Sequence, residues 1–347
     1  MRAKLKTSWF FYASIVFLLA VFCFSDKASS SDEFTRVAQA RTSGKVKEFR
    51  LTAPANLGGN VSLQVGDEDG CLVEFECWAR AKDRKMAKEF TELVKMYLET
   101  EDEVVTVKLT TPRNAPWEGT NHAIKVTLDI YVPPDIMVET KTKNFCLDIS
   151  GPLKRVDIRN SYGKVEVRDV SEETNINGSY NKVEVENIEG NLEIETSYNK
   201  IYVEGVDTKG GKAYLKTSYA KIEVEDFTGQ LEAYTVYSPI CCSNIILLGG
   251  TNEIKTVYSK IDLELEEVED CKLYVNNSYG NINVVAPRDL SARLILTVGR
   301  GGKINTSRIL IKPRVLEKTR LEGICGDGDS EIELDIDGIG KILLEGR

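Results

Sequence analysis

From about residue 136 onward, apolar and polar residues alternate with period two in short runs broken by Gly, Asn and Asp. Such runs read as strands with one buried face. The runs also repeat. SYGKVEVRDV begins at Ser161, SYNKVEVENI at Ser179, SYNKIYVEGV at Ser197 and SYAKIEVEDF at Ser218. VYSPICCSNI, VYSKIDLELE and SYGNINVVAP follow at Val236, Val257 and Ser278. Their tyrosines, Tyr162, Tyr180, Tyr198, Tyr219, Tyr237, Tyr258 and Tyr279, are spaced by 18, 18, 21, 18, 21 and 21 residues.

Taking each tyrosine as origin, positions +3 and +5 are apolar in all seven repeats, from Val165/Val167 to Ile282/Val284. Positions −6 and −4 are mainly apolar, with Thr174 and Asn252 as exceptions. The alternation shifts phase across the tyrosine, so a corner lies there between two half-buried strands. Position −2 is small or polar throughout (Asn160, Gly178, Thr196, Thr217, Thr235, Thr256, Asn277), which suits a tight bend. A unit of this size cannot bury its apolar face alone and must stack on its neighbours. The expected fold is therefore all-β: a single-stranded parallel β-helix, or β-solenoid, with coils of 18–21 residues. Seven coils would rise roughly 30–35 Å. A meander of hairpins has the same strand count but need not reproduce each residue class at each level.

The preceding segment is different. Residues 49–135 read as a small α+β unit leading into the solenoid. Val61–Val65 and Cys71–Trp78 flank an Asp/Gly-rich turn and predict a hairpin. Apolar residues at helical spacing predict one helix over Arg84–Tyr97, and strands follow around 104–109 and 123–132. Residues 31–48 are polar and read as a flexible linker, and residues 136–347 as the repeat domain with a C-terminal cap beginning near Asp289. An uncapped end is an open sheet edge.

The N-terminus has Arg2, Lys4 and Lys6 before an apolar run from Trp9 to Phe24, then a polar tail with Ala28 and Ser30. This is the pattern of a secretory signal over residues 1–30, with cleavage expected near Ala28–Ser30. The reading places the protein outside the cytoplasm, in the periplasm, envelope or cell surface. Membrane association follows only if the segment stays attached as an anchor. Phe22 is too bulky for the position before a lipidated Cys23.

Removing residues 1–30 leaves 41 basic against 53 acidic residues, a net charge of −12. That excess disfavours nucleic acid, whose binding needs clustered Lys and Arg. Lysine recurs at position +2 (Lys164, Lys182, Lys200, Lys221, Lys260), beside columns of acids. Stacked like charges repel by about 1 kcal/mol in water, and the lysine column offsets this. A solvated charged face and a weak cation-binding strip both fit.

Candidate chemistry is sparse. His122 is the single histidine and has no nucleophile motif around it. GRGGK at Gly299–Lys303 lacks the hydroxyl residue of a phosphate loop. GDGDSE at residues 326–331 has Ile332 where a calcium loop requires glycine. Neither a metal nor a cofactor is expected. Seven cysteines follow the signal segment, an odd number that leaves at least one thiol unpaired; Cys71 and Cys77 are too far apart along one strand to pair. Cys242 is expected to point inward and Cys241 outward.

The motifs YVPPDIMVETKTKN (Tyr131–Asn144), SYGKVEV with its copies, and GDGDSEIELDIDGIGKILLEG resemble the bacterial putative-adhesin family of β-strand-repeat proteins. The likeness spans about residues 49–347. Tyrosine here replaces the small residue common in that family's Ser-x-Gly turn. The resemblance implies a right-handed β-helix and an envelope or surface location, and brings no catalytic residues.

The function expected is a non-enzymatic envelope protein used for adhesion, scaffolding or ligand binding. Alternatives are a polysaccharide-active enzyme on a β-helix, or an envelope-stress or signalling module that binds peptide or lipid through an edge. The tyrosines are expected to form a structural corner ladder first, and a surface for polysaccharide second. Another envelope protein is the other candidate partner.

Overall fold

A computed structural model describes residues 32–66 and 70–347. The signal-like segment and the tip of the Asp/Gly-rich turn lie outside the described residues. The rest is all-β, with one helix.

In chain order the first elements are β1 (Glu33–Arg41), β2 (Glu48–Thr52), β3 (Gly58–Val65), β4 (Leu72–Arg80), α1 (Arg84–Leu93), β5 (Lys95–Glu101), β6 (Val104–Thr110) and β7 (Ala123–Val132). The repeats follow: β8 (Met137–Lys141), β9 (Asn144–Asn160), β10 (Gly163–Gly178), β11 (Asn181–Glu189), β12 (Asn191–Glu195), β13 (Ile201–Lys216), β14 (Ile222–Tyr234), β15 (Ile240–Leu248), β16 (Thr251–Thr256), β17 (Ile261–Glu269), β18 (Lys272–Asn277) and β19 (Ile282–Ala286). The last are β20 (Ala292–Val298), β21 (Lys303–Ser307), β22 (Lys312–Leu316), β23 (Arg320–Cys325), β24 (Ser330–Ile336) and β25 (Lys341–Gly346).

Successive repeats pair in parallel, like residue over like residue. Val165 faces Val183, Val183 faces Ile201, Ile201 faces Ile222, Ile222 faces Ile240, Ile240 faces Ile261 and Ile261 faces Ile282. The repeats are therefore not hairpins. Each forms one tier, and all the +3 and +5 side chains are buried between its strands. The same holds for Val156/Ile158, Leu192/Ile194, Ala213/Leu215, Leu231/Ala233 and Leu273/Val275. The strands of the repeats thus contribute columns of stacked apolar residues to one core. The change from 18 to 21 residues is absorbed at a corner away from the tyrosines. Between β13 and β14 the register changes after Asp207, where the Lys209–Gly211 loop bulges out.

A second corner recurs seven residues after the tyrosine. Asp169, Asn187, Gly205, Asp226 and Asn244 all have φ between 52 and 65°. Asn, Asp and Gly tolerate this left-handed conformation best. Asn187 donates to Asp169 and Asn244 to Asp226, one tier apart. The turn flips the chain's phase again and buries a third column, Val170, Ile188, Val206, Phe227 and Ile245.

Both ends of the stack are assembled out of chain order. β2 and β3 lie between the later tiers, pairing in parallel with β6 and β7 on one side and β8 and β9 on the other. At the C-terminus, β24 and β25 enter between β18/β19 and β20/β21. The last tier in space at this end is therefore not the last in sequence. The outer edge at this end carries β22, with Lys312, Pro313 and Arg314, residues that discourage further strand pairing.

Three expectations for the first hundred residues are corrected. β3 and β4 form no hairpin, because β7 lies between them, antiparallel to β4 and parallel to β3. The segment read as a linker holds β1, antiparallel to β4 over nine residue pairs. Its alternation was hard to see because Phe34 and Ala38 are its buried apolar residues among mixed polar ones. The helix ends at Leu93, not Tyr97. Asp83 caps its start by accepting from the Met86 amide, and Ala87, Phe90 and Thr91 face inward. Val94 turns extended and the following residues pair with β6.

Candidate tyrosine ladder

The corner at each tyrosine is held from inside. Position −2 side chains are buried and most donate to the position +1 carbonyl of the tier before. Thr196 bonds Asn181, Thr235 bonds Ala220, Thr256 bonds Ser238 and Asn277 bonds Ser259. Asn160 does the same to Phe145. These carbonyls sit in a bend, out of reach of the strand ladder, so a side-chain donor satisfies them. One tier solves the problem in reverse. A side chain at Gly178 would strike the Asn160 carbonyl, with its Cβ 1.7 Å away. There Asn181, at position +1, reaches that carbonyl instead at 2.9 Å. Tyr180, between the two, has φ of 64°.

A clip of this kind lies beneath six of the seven tyrosines. The seven rings form an unbroken stack. Successive centroids are 5.0, 4.4, 4.8, 5.0, 5.3 and 5.4 Å apart, with planes within 11° of parallel. Each such contact contributes ~0.5–1.5 kcal/mol beyond burial. The ladder faces water: exposure runs from 41% at Tyr180 to 63% at Tyr279. Neighbouring rings cover each other's faces, so the ladder presents ring edges and hydroxyls. The Tyr198 phenol beside it pushes the Tyr180 phenol above its ordinary pKa.

The lysine column runs alongside, tied to acids at position +4. Lys164 bridges Glu166 at 2.6 Å and Glu184 at 2.5 Å, and Lys182 also reaches Glu184 at 2.5 Å. Lys200 and Lys221 share Glu223, and Lys260 pairs with Asp262. Burial acts to raise the Glu184 pKa, but the two lysines outweigh it and pull it down to about 2. The acids expected to repel one another are thus interleaved with cations.

The ladder column continues past its first ring. Asn144 lies beside Tyr162 in the next tier, and Gly58 lies beside Asn144 in the tier beyond. The Lys143 ammonium sits 6.0 Å over the Tyr162 ring. Lys143 also lines a cavity of about 430 Å³ with Pro54, Ala55, Asn56, Thr111, Pro112, Arg113 and Glu118. Its floor is braced. Thr111 donates to Asn56 at 2.6 Å, Asn56 to the Pro112 carbonyl, the Trp117 indole to the Asn56 carbonyl and Asn144 to the Ala55 carbonyl. Sequence reasoning missed this recess because three corner loops, distant in the chain, create it. At the ladder's other end Gly338 takes the tyrosine's place beside Tyr279.

The remaining candidates are dispersed. His122 packs its ring edge-on to Phe90, 5.3 Å away. Ser291 donates to Asp329 and accepts from the amides of Asp327 and Gly328, which makes GDGDSE a braced turn. Glu331 pairs with Arg293 at 3.7 Å. Among the described residues no group of three or more His, Cys, Asp or Glu could hold a metal. All seven cysteines of the described residues are free. Cys242 is buried and Cys241 is partly exposed, as the repeat phase requires, but Cys146 is the more exposed thiol.

No protein-family profile matches the chain, and no curated protein matches it significantly. Solved structures give distant likenesses. A putative cell adhesion protein from Clostridium sporogenes is 9% identical, over 90% of this chain and 100% of its own, with a TM-score of 0.21. A putative adhesin from Parabacteroides merdae is 11% identical, over 92% and 99%, with a TM-score of 0.30. A putative lipid binding protein from Parabacteroides distasonis is 11% identical, over 91% and 97%, with a TM-score of 0.23. These likenesses are too low to transfer a function.

Proposed function

We propose that the chain is an exported, non-enzymatic envelope or surface protein, a right-handed parallel β-helix whose tyrosine ladder binds an extended ligand. The observation that carries this reading is the ladder itself: seven near-parallel tyrosine rings in six consecutive stacking contacts, with edges and hydroxyls open to water. A purely structural column has no need to sit at the surface, since buried aromatics contribute more. Equal chemistry at every tier suits a repeating ligand. Catalysis on one bond of a polymer needs a different residue set at one level, whereas the ladder repeats the same groups. The spacing near 5 Å is comparable to the advance of one pyranose unit in an extended glycan. Polysaccharide is therefore the ligand class favoured over a second envelope protein.

A glycan array probed with the chain and with a Tyr198→Ala/Tyr219→Ala variant tests this. The reading expects binding to extended glycans that falls at least tenfold in the variant while its melting remains cooperative. Equal binding by both proteins sinks the ladder as a binding face.

A further inference from the structure

The ladder and the recess at its N-terminal end share one face of the stack. Each tyrosine occupies the corner between two strands of its tier. The recess is built from the same corner in earlier tiers: residues 54–56 join β2 to β3, residues 111–113 follow β6, and Lys143 joins β8 to β9. Lys143 belongs to both, since it lines the recess and lies over the first ring. A polymer lying along the rings runs directly into the recess.

The charges there are unlike those beside the ladder. Lys164, Lys182, Lys200, Lys221 and Lys260 are each matched by a carboxylate. Arg113 and Lys143 are both exposed, and neither has a carboxylate partner within 4 Å among the described residues. Glu118, the acid in the lining, accepts from the Ala115 amide at 3.2 Å. Two unmatched cations over a hydrogen-bonded floor, in a strongly acidic protein, form a local site for a carboxylate.

We infer that this recess is an anion-recognising subsite, in which Arg113 and Lys143 hold a carboxylate of an acidic linear polysaccharide whose chain extends along the tyrosines. The inference rests on the proposed ladder function and names its ligand class. Arg113 supplies the planar fork that matches a carboxylate, and Lys143 adds a point charge between the recess and Tyr162. The Asn56 and Thr111 network keeps the floor from collapsing. The ladder contributes through ring edges and hydroxyls without regard to ligand charge.

Affinity electrophoresis of the full exported chain tests this, in gels containing polygalacturonate, its methyl ester, hydroxyethylcellulose or polyphosphate. The inference expects the strongest retardation with polygalacturonate. Arg113→Gln, an exposed change outside the ladder, should weaken that retardation at least tenfold while leaving the melting temperature and the weaker binding to neutral polymers unchanged. Retardation by neutral polymers equal to that by polygalacturonate, or no change in the variant, overturns the subsite and leaves the ladder reading intact. Polyphosphate retarding the chain as strongly as polygalacturonate overturns the sugar-acid assignment. No retardation by any polysaccharide overturns both readings.

Discussion

Asn181 donates to the carbonyl of Asn160 at 2.9 Å, filling the space that a side chain at position 178 would need. In five other tiers the donor stands at position −2 and bonds in the opposite sense along the corner. The bend thus favours a buried donor, and either side of the tyrosine can supply it. Asn181→Ala removes that donor and leaves the Asn160 carbonyl unpaired. An unmet buried polar group costs about 1–3 kcal/mol, so urea unfolding should show a loss in that range. A loss below ~0.5 kcal/mol counts against the clip.

Two threonines in the same column make a matched comparison. Thr256 donates to the Ser238 carbonyl at 3.2 Å, whereas the buried Thr217 hydroxyl has no partner. Replacing each by valine keeps the shape. Thr256→Val should destabilise by about 1 kcal/mol, and Thr217→Val should be neutral or stabilising. Equal losses in the two variants contradict the assignment of the bonds.

The ladder gives an ordered prediction. Tyr198 stacks on both Tyr180 and Tyr219, whereas Tyr279 at the end stacks on Tyr258 alone within the ladder. Tyr198→Ala should lower the melting temperature about twice as far as Tyr279→Ala, and should also reduce the near-ultraviolet circular dichroism of the coupled rings more strongly. The reverse order is inconsistent with an unbroken stack.

Glu184 predicts a pH window. Its pKa falls from an ordinary 4.5 to about 2 because Lys164 and Lys182 bind its charged form. A depressed carboxylate contributes stability that is present above the unfolded pKa and is lost as pH falls toward the folded one. The stability difference between wild type and Glu184→Gln should therefore be constant above about pH 5 and shrink between about 4.5 and 2. The effect should be modest and salt-sensitive, since the pair is solvated. A difference that does not vary over that window excludes Glu184 as a pH-linked group.

Much of this architecture was legible in the chain, and what was not has physical causes. The +3 and +5 columns were readable because burial forces period-two alternation, and repetition confirms it at every tier. The left-handed corner at Asp169, Asn187, Gly205, Asp226 and Asn244 left a readable trace that passes for ordinary surface polarity. Asn, Asp and Gly at one position look interchangeable until φ is known. Val94 and Tyr97 fit a helical stripe as well as a strand, so the helix was overextended. The insertion of β2/β3 and of β24/β25 between other tiers was not readable at all. Tiers carrying the same residue classes accept one another, and no local pattern selects the order. The recess escaped for the same reason: Asn56, Arg113 and Lys143 meet only through that order.

The thiols offer an independent check of orientation. Burial pushes the Cys71 and Cys77 thiols up to about 12 and raises that of Cys242 as well. Alkylation of the folded chain at neutral pH should label Cys146 first and Cys241 more slowly, sparing the other five until denaturant is added. Early labelling of Cys242 contradicts the inward phase at position +5.

The central claim is that seven tiers act as one continuous binding face, and ligand length tests it most directly. Titration calorimetry with oligogalacturonates of increasing length should show affinity rising with each added unit until the oligomer spans from the Arg113 recess to Tyr279, with the rise truncated at the gap in Tyr198→Ala. Affinity that reaches its limit with a di- or trisaccharide, and is indifferent to Tyr198, contradicts it.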